Sequence, residues 1–476
     1  MGTEIKKKKQ TMMCVEKLKL NNVKNKKLKS QTVSKISGIT LIALVVTIVV
    51  LLILAGITIS LVFSENGIIA KAKEAAEKTN QAAINEQEQM NGLGTTIENM
   101  LNGTGGSGEE TTPPEPTLPS DGSYSEEKGV NTPNLEEGMT AIKWDEAKND
   151  WIETTGSDQE WYDYTAKKWA NAKTSDGSMW VWIPRYAYSI TSGYHSSSTG
   201  NIDVEFMKGL TNETSTGRKS FDNVSGQGKW NVHPAFNYGQ EVSGLWVAKF
   251  EASNSSGKIK VEPGVQSWRS ITVNDIYTNC LNYNKTLNSH MMKNDEWGAV
   301  AYLSKSKYGK NAEVTINDNS SYYTGGGSGN AYVTNVGQST TGTVHGVYDM
   351  SGGAWEYVAA YVNNGNSNLT NYGSSLVNGD AKTKNVYSKG SSDSRDNNYS
   401  ANSGKYGDAV YETSANGNSS SSSWYGDYSY FPGASYPFFL RGGSYGGGAG
   451  AGVFYFLGES GLSYSNYSFR PVLVAL

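Results

Sequence analysis

Cysteine and histidine are scarce in this sequence, whose 476 residues include two cysteines and four histidines. Two cysteines, Cys14 and Cys280, are too few for the disulfide framework that stabilises small secreted domains. The histidines have no i, i+4 pair and no neighbouring cysteine, and they stand at His195, His233, His290 and His345. This spacing fits no zinc or other transition-metal motif, so we predict no metal site of that kind.

Charge is also scarce, at 18% of residues, and it is unevenly distributed. The formal net charge is −4, although residues 1–38 carry eleven lysines against two glutamates. The remainder is therefore acidic and lacks the clustered Lys and Arg side chains that contact phosphate groups. We expect no nucleic-acid binding, and the split in sign points to a membrane instead.

Glycine, tyrosine and tryptophan are abundant, with 54, 30 and 12 residues. A helical solenoid or a coiled coil would be richer in Ala, Glu, Lys and Leu, so this composition indicates loops and β-structure. The length suggests two or three structural units rather than one ordinary domain.

Charged residues are absent from Ile36 to Ser64, and residues 39–63 are almost entirely Leu, Ile, Val, Ala and Thr. About 20 apolar residues span the hydrocarbon core as a helix, so we predict a transmembrane helix over 39–63. The lysines before it place the N-terminus inside and the C-terminal domain outside. A buried core helix and a cleaved secretory signal are the alternatives, and both normally have a shorter apolar run.

The chain on either side of this apolar segment divides by composition. Residues 1–38 form a basic leader, and residues 64–101 predict a stalk helix because Ala, Lys, Glu and Gln favour helices. Residues 102–133 are Gly/Ser-rich and then Pro/Glu-rich, which predicts an extended linker. We expect the remaining residues, 134–476, to form an irregular α+β domain.

Two stretches of this outer domain predict strands. Met179–Tyr186 and Leu245–Glu251 are apolar runs of strand length, and Pro184 is expected to end the first of them. Both runs predict buried strands.

One stretch of the outer domain predicts a helix. Met291–Leu303 has apolar residues at helical spacing, with Asn294 or Asp295 as its expected N-cap. The polar segments 311–345 and 362–436 predict long irregular loops.

The C-terminal segment 441–470 places Gly, Ala, Ser and Tyr between two more regular ends, Arg441-Gly442-Gly443 and Phe469-Arg470-Pro471. Glycine permits close backbone approach, and tyrosine offers amphipathic contact area at low entropy cost. The ends are typical of core strands, with the middle held out between them. This middle is the candidate binding surface.

Lys35-Ile36-Ser37-Gly38 followed by Ile39-Thr40-Leu41-Ile42 resembles the leader and cleavage site of type IV prepilins. The resemblance implies cleavage by a prepilin peptidase between Gly38 and Ile39, and other pilins as partners. The family usually has Glu at the fifth mature position, where this chain has Ala43. A minor pilin, a pseudopilin and a plain membrane anchor therefore all remain open.

The outer domain, over roughly residues 170–476, resembles the formylglycine-generating-enzyme family, which has a C-type lectin-like fold. Where the family usually has Asn and Trp, this chain has Gly353 and Tyr357. The resemblance implies that Trp355 fills the core and that Glu356 and Arg470 form a hydrogen-bonded pair. Three motifs carry it: Asn294-Asp295-Glu296-Trp297, then Tyr348-Asp349-Met350-Ser351-Gly352-Gly353-Ala354-Trp355-Glu356-Tyr357, then Arg441-Gly442-Gly443-Ser444 with Phe469-Arg470-Pro471.

The enzymatic chemistry of that family is not expected here. Its oxidising members use a cysteine pair between the last two motifs, and residues 444–468 of this chain contain no cysteine. Gly442-Gly443-Ser444-Tyr445-Gly446 matches the hydrolase pattern G-x-S-x-G, but no histidine follows His345 to complete a triad. We predict no catalytic residue and no cofactor. Calcium, which some relatives bind, is the one ion left open, with Asp349 as a candidate ligand.

The segment 441–470 also resembles the variable region of proteins diversified by retroelements, which use the same lectin-type fold to display varied residues. The resemblance implies a scaffold of Trp355, Glu356, Arg441, Gly442, Gly443, Phe469 and Arg470. It implies a displayed, ligand-binding set of Tyr445, Gly446, Gly448, Tyr455, Leu457, Glu459, Ser460, Leu462, Tyr464, Asn466 and Tyr467.

The expected function is that of a receptor or adhesin at a bacterial cell surface, with a protein or glycan as ligand. Two alternatives stay open: a fixed-sequence minor pilin or adhesin, and a catalytically active relative of the formylglycine-generating enzymes.

Overall fold

The computed structural model describes residues 120–476. The basic leader with its predicted cleavage point, the predicted membrane helix 39–63, the stalk 64–101 and most of the linker lie outside the described residues. These remain predictions from sequence. In the described part of the chain, no helix is both long enough and apolar enough to cross a bilayer.

Residues 120–476 form a mixed α+β structure in which strands outnumber helices. The strands are β1 Tyr124–Ser125, β2 Val130–Asn131, β3 Met139–Asp145, β4 Asp150–Glu153, β5 Asn171–Thr174, β6 Met179–Pro184, β7 Tyr186–Ser192, β8 Asn201–Phe206, β9 Asn231–Val232, β10 Gly244–Ala248, β11 Ser253–Ser255, β12 Lys258–Lys260, β13 His290–Met291, β14 Trp355–Asn363, β15 Asn385–Ser388, β16 Asn418–Ser419, β17 Ser429–Tyr430, β18 Phe438–Arg441, β19 Phe456–Glu459, β20 Tyr467–Phe469 and β21 Pro471–Leu473. The α-helices are α1 Val273–Tyr283, α2 Asn294–Lys305, α3 Ser367–Asn378 and α4 Arg395–Ala401. Short 3₁₀ turns occur at Pro234–Phe236, Thr324–Gly326, Ala331–Val333, Val336–Gln338, Ala381–Thr383, Tyr411–Thr413, Trp424–Gly426 and Gly448–Gly450.

The first large sheet is antiparallel throughout, in the order β13-β21-β10-β6-β5-β3-β4. Every residue of β6 and β10 is buried, as expected for continuous apolar runs covered on both faces. Both predicted strands are confirmed. The first breaks after Pro184, which has no N–H to continue a ladder, and β7 begins at Tyr186.

The second large sheet is mixed and carries the C-terminal segment. Its order is β15-β14-β18-β19-β17-β16, and β20 also pairs with β14. The beginning of β14 runs parallel to β20, its end runs parallel to β15, and β18 lies antiparallel beside it. The long strand β14 is therefore the element on which the candidate surface is built.

The packed domain begins earlier than the sequence suggested. Residues 120–133, assigned to the linker, include the hairpin β1–β2. Val130 is 1% exposed, and the Asn131 side chain bonds the Gly209 N–H at 2.7 Å and the Ser243 carbonyl at 2.9 Å. The buried side chains of Val130 and Asn131 thus make this end of the predicted linker part of the folded domain.

The predicted helix exists, but its start is displaced. It begins at Asn294, with Lys293 rather than Asn294 or Asp295 as N-cap, and Glu296 accepts the Lys293 N–H at 2.8 Å. The Asn294 side chain is engaged elsewhere, because it donates to the Tyr387 hydroxyl at 2.7 Å.

The segment 362–436 is not the irregular loop predicted, since α3, β15 and α4 lie within it. Polar side chains cap both helices: Asn366 accepts the Asn368 N–H, and Ser394 accepts the Asn397 N–H. Only Leu369, Gly373 and Leu376 of α3 are buried, so the apolar pattern is too thin to be recognised in sequence.

Candidate ligand-binding surface

The candidate surface lies on one face of the second sheet, and the middle of this face is covered, since Tyr357, Leu440 and Phe469 are fully buried. Residues directly opposite in paired strands point to the same face, and residues one apart point to opposite faces. Strand pairing places one residue from each of five strands side by side on this face: Tyr430, Leu457, Leu440, Tyr357 and Phe469. Residues two positions away along the strands, including Trp355 and Tyr467, lie on the same face.

A continuous series of aromatic rings crosses this face, and we call it the aromatic row. In spatial order it contains Tyr464, Tyr467, Trp355, Tyr455, Tyr428 and Tyr430. Neighbouring ring centroids lie 4.9 Å apart for Tyr464 and Tyr467, and 5.6 Å apart for Tyr467 and Trp355. The Trp355 Nε1–H donates to the Tyr455 hydroxyl at 3.0 Å. The ring centroid of Tyr428 lies 6.2 Å from that of Tyr455 and 6.0 Å from that of Tyr430.

Exposure along the aromatic row is unequal. Tyr464 and Tyr428 are 44% and 37% exposed, and Trp355 and Tyr430 are half-buried. Tyr455 and Tyr467 are 5% and 9% exposed, so most of their surface is unavailable to a ligand. The two buried tyrosines hold the Trp355 ring from both sides. They therefore belong to the support of the surface rather than to the displayed set assigned from sequence.

Trp355 also differs from its assignment as a core residue. It begins β14 with its ring half-buried between Tyr455 and Tyr467. Its neighbour Glu356 points to the opposite, interior face because side chains alternate along a strand. Trp355 is thus part of the surface itself.

The remaining predicted contact residues divide by exposure. Gly446 and Gly448 are exposed, Ser460 is buried, and the half-buried group is Tyr445, Leu457, Glu459, Leu462 and Asn466. The ring of Tyr445 meets Tyr322 edge-on at 5.0 Å, which extends the aromatic area beyond the row.

Glu459 lies beside the row with its carboxylate already engaged. Its oxygens accept the Tyr467 hydroxyl at 2.9 Å and the Ser460 N–H at 2.7 Å. Burial and then the Glu459 charge raise the pKa of Tyr467, which therefore stays a neutral donor. Glu459 is a positioning residue for Tyr467 before it is a ligand contact.

The predicted pair of Glu356 and Arg470 is confirmed, and it is fully buried. Arg470 donates from Nε to Oε2 at 2.9 Å and from Nη2 to Oε1 at 2.6 Å. Its remaining N–H groups reach the carbonyls of Ala248 and Tyr348 at 2.8 and 2.9 Å. Burial alone would lower the pKa of Arg470, but the Glu356 carboxylate outweighs it and the pKa is raised.

Arg441 forms a second buried fixing point. Its guanidinium donates to Asn294 Oδ1 at 2.7 Å and to the carbonyls of Asp408 and Ala409, each at 3.0 Å. Gly442 and Gly443 follow at φ of 83° and 74°. The scaffold residues Glu356, Arg441, Gly442, Gly443, Phe469 and Arg470 are all buried, and we call them the frame.

Asp427 supports the surface and was not identified from sequence. Its carboxylate accepts the Phe454 N–H at 2.8 Å, and it lies against Gly452, where a Cβ would stand 2.2 Å from Oδ1. Burial raises the pKa of Asp427 well above its usual range. This contact fixes the turn that leads into Tyr455. Asp427 lies outside 441–470, so no property of that segment indicated it.

Tyr428 and Tyr430 were also missed. A Tyr-Ser-Tyr sequence with i, i+2 spacing on a strand places both rings on one face, and this is the one signal that could have found them. Tyr322 has no comparable signal, because it reaches the surface through the loop after α2.

The groups considered for catalysis or metal binding are elsewhere or already engaged. Cys280 is fully buried, and burial raises the pKa of its thiol well above the usual value. Ser444 is 5% exposed, and Asp349 Oδ1 accepts from Asn317 and the Gly325 N–H. Within residues 120–476, no group of three or more His, Cys, Asp or Glu residues is arranged to hold a metal ion.

No protein-family model matches this chain, and no curated protein matches it.

Proposed function

We propose that the chain is a non-enzymatic receptor or adhesin whose C-terminal segment displays a binding surface on a fixed frame. The observation that carries this proposal is the aromatic row, with exposed rings at Tyr464 and Tyr428 and a half-buried Trp355 between them. Tyrosine and tryptophan are enriched at binding hot spots because they offer large, rigid contact area with a polar tip. Buried rings on both sides of Trp355 hold it in one position.

The proposal includes a finer fold assignment, a C-type lectin-like domain related to the formylglycine-generating enzymes. It is supported by the placement of the motif residues. Glu356, Arg441 and Arg470 are buried and join strands of the second sheet to the rest of the core. In this assignment they are structural, which agrees with their full burial.

The proposal also includes diversification of the segment by a retroelement. Its support is the difference in exposure between most members of the two predicted sets. The frame is buried, and of the scaffold set Trp355 alone is half-buried. Three members of the displayed set, Tyr455, Ser460 and Tyr467, are buried, and the other eight are exposed or half-buried: Tyr445, Gly446, Gly448, Leu457, Glu459, Leu462, Tyr464 and Asn466. Substitution at such positions leaves the core packing unchanged, so the fold tolerates it.

The N-terminal part of the proposal rests on sequence alone. Residues 39–63 would hold the protein in the membrane of a bacterial cell, with cleavage between Gly38 and Ile39 and with other pilins as partners. The linker would then present the domain on the outside.

The proposed function is tested with the full-length chain on printed arrays of bacterial surface proteins and glycans. We expect binding to at least one array component, with a loss of tenfold or more in affinity for Tyr464→Ala combined with Tyr428→Ala. Thr278→Ala, an exposed change on α1, is the matched control. Binding that is unchanged in the double variant, or no binding at all, would contradict the proposal.

A fixed-sequence adhesin would use the same surface, and only the variation of the gene distinguishes it. A cysteine-dependent oxidase is not favoured, because Cys280 is fully buried and lies in α1 rather than near the surface.

A further inference from the structure

Arg269 lies at one end of the aromatic row. Its guanidinium stacks on the Tyr322 ring, 4.1 Å from the centroid, and its Nη1–H donates to the Ser465 carbonyl. The next residue, Ser270, donates its N–H to the Tyr464 carbonyl at 2.9 Å. A half-buried cation is therefore held beside the exposed ring that ends the row.

Arg395 lies at the opposite end. Its guanidinium lies over the Tyr430 ring, 4.9 Å from the centroid. Its hydrogen bond to Asn418 Oδ1 is long, at 3.5 Å. Arg395 is also half-buried, and long cationic side chains typically bury the stem and keep the head group in solvent.

The distance between the two ends follows from the strand order. Ser465 lies two residues before the start of β20, and Tyr430 belongs to β17, with β14, β18 and β19 between the two strands. Four strand spacings of about 4.8 Å separate β20 from β17, which gives roughly 20 Å.

These two arginines differ from the others in the chain. Arg185, Arg218 and Arg470 are paired with Glu241, Glu205 and Glu356 at 2.8, 2.9 and 2.6 Å. Arg441 is buried with Asn294 and two carbonyls. Among the described residues, neither Arg269 nor Arg395 has a carboxylate within ion-pair distance. Arg441 also lacks a carboxylate partner, but it is fully buried. Among the described residues, Arg269 and Arg395 are therefore the two half-buried arginines without a carboxylate partner, and they end the aromatic row.

We propose that the partner of the aromatic row is an acidic protein, with two carboxylate groups about 20 Å apart that pair with Arg269 and Arg395. This inference rests on the proposed function and names the class of its ligand. A guanidinium held flat on an aromatic ring is pre-oriented for a bidentate carboxylate, so little side-chain entropy is lost on binding. The aromatic residues between the two cations take the apolar part of the contact.

The dimensions favour a protein over a small ligand. A contact about 20 Å long with Tyr, Trp and Arg as its main residues has the composition of protein interfaces. Three clefts elsewhere in residues 120–476 contain none of the row residues, and one of them, beside Trp230, has a volume of about 510 Å³. The row is an open strip rather than an enclosed pocket.

The test uses the full-length chain and a phage-displayed library of random 16-residue peptides. Clones that bind the wild type but not the Tyr464→Ala, Tyr428→Ala variant are taken as row-dependent. We expect these clones to be enriched in pairs of Asp or Glu separated by apolar residues. We expect Arg395→Gln to weaken them tenfold or more, with partial recovery in Arg395→Lys and a strong loss of binding between 50 and 500 mM NaCl.

Lys258→Gln is the matched control, because it removes one exposed positive charge in β12, away from the row. Arg269→Gln is the second variant, and its melting temperature is measured because Arg269 also contacts the loop before β20. Row-dependent clones without acidic enrichment, or with unchanged binding in Arg395→Gln, would overturn the acidic-partner assignment and leave the proposed function standing. If only sulfated or sialylated glycans bind in a row-dependent manner, the acidic-protein assignment is overturned in favour of an anionic glycan. If no clone and no glycan depends on the row, both proposals fail.

Discussion

Glu356 of β14 and Arg470, the residue that follows the neighbouring parallel strand β20, form a buried bidentate ion pair with N–O distances of 2.6 and 2.9 Å. Glu356 follows Trp355 in β14, and Arg470 follows Phe469 at the end of β20. The start of β14 therefore carries the half-buried Trp355 on one face and the buried Glu356 on the other. The pair also connects the second sheet to the first, because Arg470 bonds the Ala248 carbonyl at the end of β10.

Removing one partner of this pair should destabilise the domain strongly. Arg470→Met leaves the Glu356 carboxylate buried without its counter-ion, and we expect a loss of about 3–5 kcal/mol in the free energy of unfolding. Urea denaturation followed by tryptophan fluorescence measures it. Arg470→Met combined with Glu356→Gln should lose less than Arg470→Met alone. A loss below about 1 kcal/mol in the single variant would show that the pair does not fix the strands.

Truncating an exposed ring of the aromatic row should change the free energy of unfolding less than truncating a buried ring. Tyr464→Ala should change the free energy of unfolding by less than about 0.5 kcal/mol, because the ring is 44% exposed. Tyr467→Ala removes a ring that contacts Trp355, Tyr357 and Tyr464, and it should cost about 3 kcal/mol. Equal costs for the two variants would contradict the division of the row into displayed and supporting residues.

Substituting a glycine of the frame should destabilise the domain more than substituting a glycine of the displayed set. Gly443 has φ of 74°, and a Cβ there would stand 2.4 Å from the Ala451 Cβ, so Gly443→Ala should cost about 2–4 kcal/mol. Gly446 has nothing within 4 Å of an added Cβ, which makes Gly446→Ala the matched control with little expected change. The comparison needs only thermal or urea unfolding of the two variants. A harmless Gly443→Ala would remove Gly443 from the frame.

The free energy of unfolding should fall as the pH rises from about 4.5 to about 7, because Glu412 loses its proton in the folded state near the upper end of this range. Burial raises the pKa of Glu412 to about 7, against the bonds it accepts from the Gly407 N–H, Tyr188 and Tyr302. A carboxyl with a folded-state pKa above its unfolded value stabilises the fold below the unfolded pKa. This contribution is lost as the pH rises from about 4.5 to about 7.

For one proton, the free energy of unfolding changes by at most about 1.4 kcal/mol per pH unit. Glu412→Gln keeps a carbonyl acceptor for the same donors and cannot ionise, so its stability should depend less on pH between 5 and 8. Urea unfolding at several pH values compares the two proteins. Identical slopes would show that Glu412 ionises in the fold as it does in solution.

Residues with strong local patterns were predictable from sequence. β6 and β10 are continuous apolar runs, and α2 has regular apolar spacing. The pair of Glu356 and Arg470 was expected from the resemblance of the motifs that contain them. The helix α3 was not predictable. Its contacts are long-range: Gly373 lies against Phe438, which is 65 residues away in sequence and whose ring would stand 2.3 Å from an added Cβ. Ser374 and Ser375 bond the Asn274 side chain in α1.

The candidate surface was predictable only in part, for a physical reason. Composition marks a Tyr/Gly/Ser segment as contact-forming, but burial of an individual Tyr depends on strand register. Tyr467 is buried because pairing of β20 with β14 places it against Trp355, and Tyr464 is exposed because it precedes that pairing. Tyr428, Tyr430, Arg269 and Arg395 come from distant parts of the chain and join the surface only through the sheet order.

The central claim is that the exposed part of the C-terminal segment is a binding surface free to change over a buried frame. Deep amplicon sequencing of the 3′ end of the gene and its flank, from one lineage, tests it most directly. The account predicts substitutions at codons for exposed and half-buried positions such as Tyr445, Gly446, Leu457 and Tyr464, at adenines of a nearby near-identical repeat. It predicts none at Arg441, Phe469 or Arg470. A uniform sequence, or substitutions spread equally over the buried frame, would contradict it.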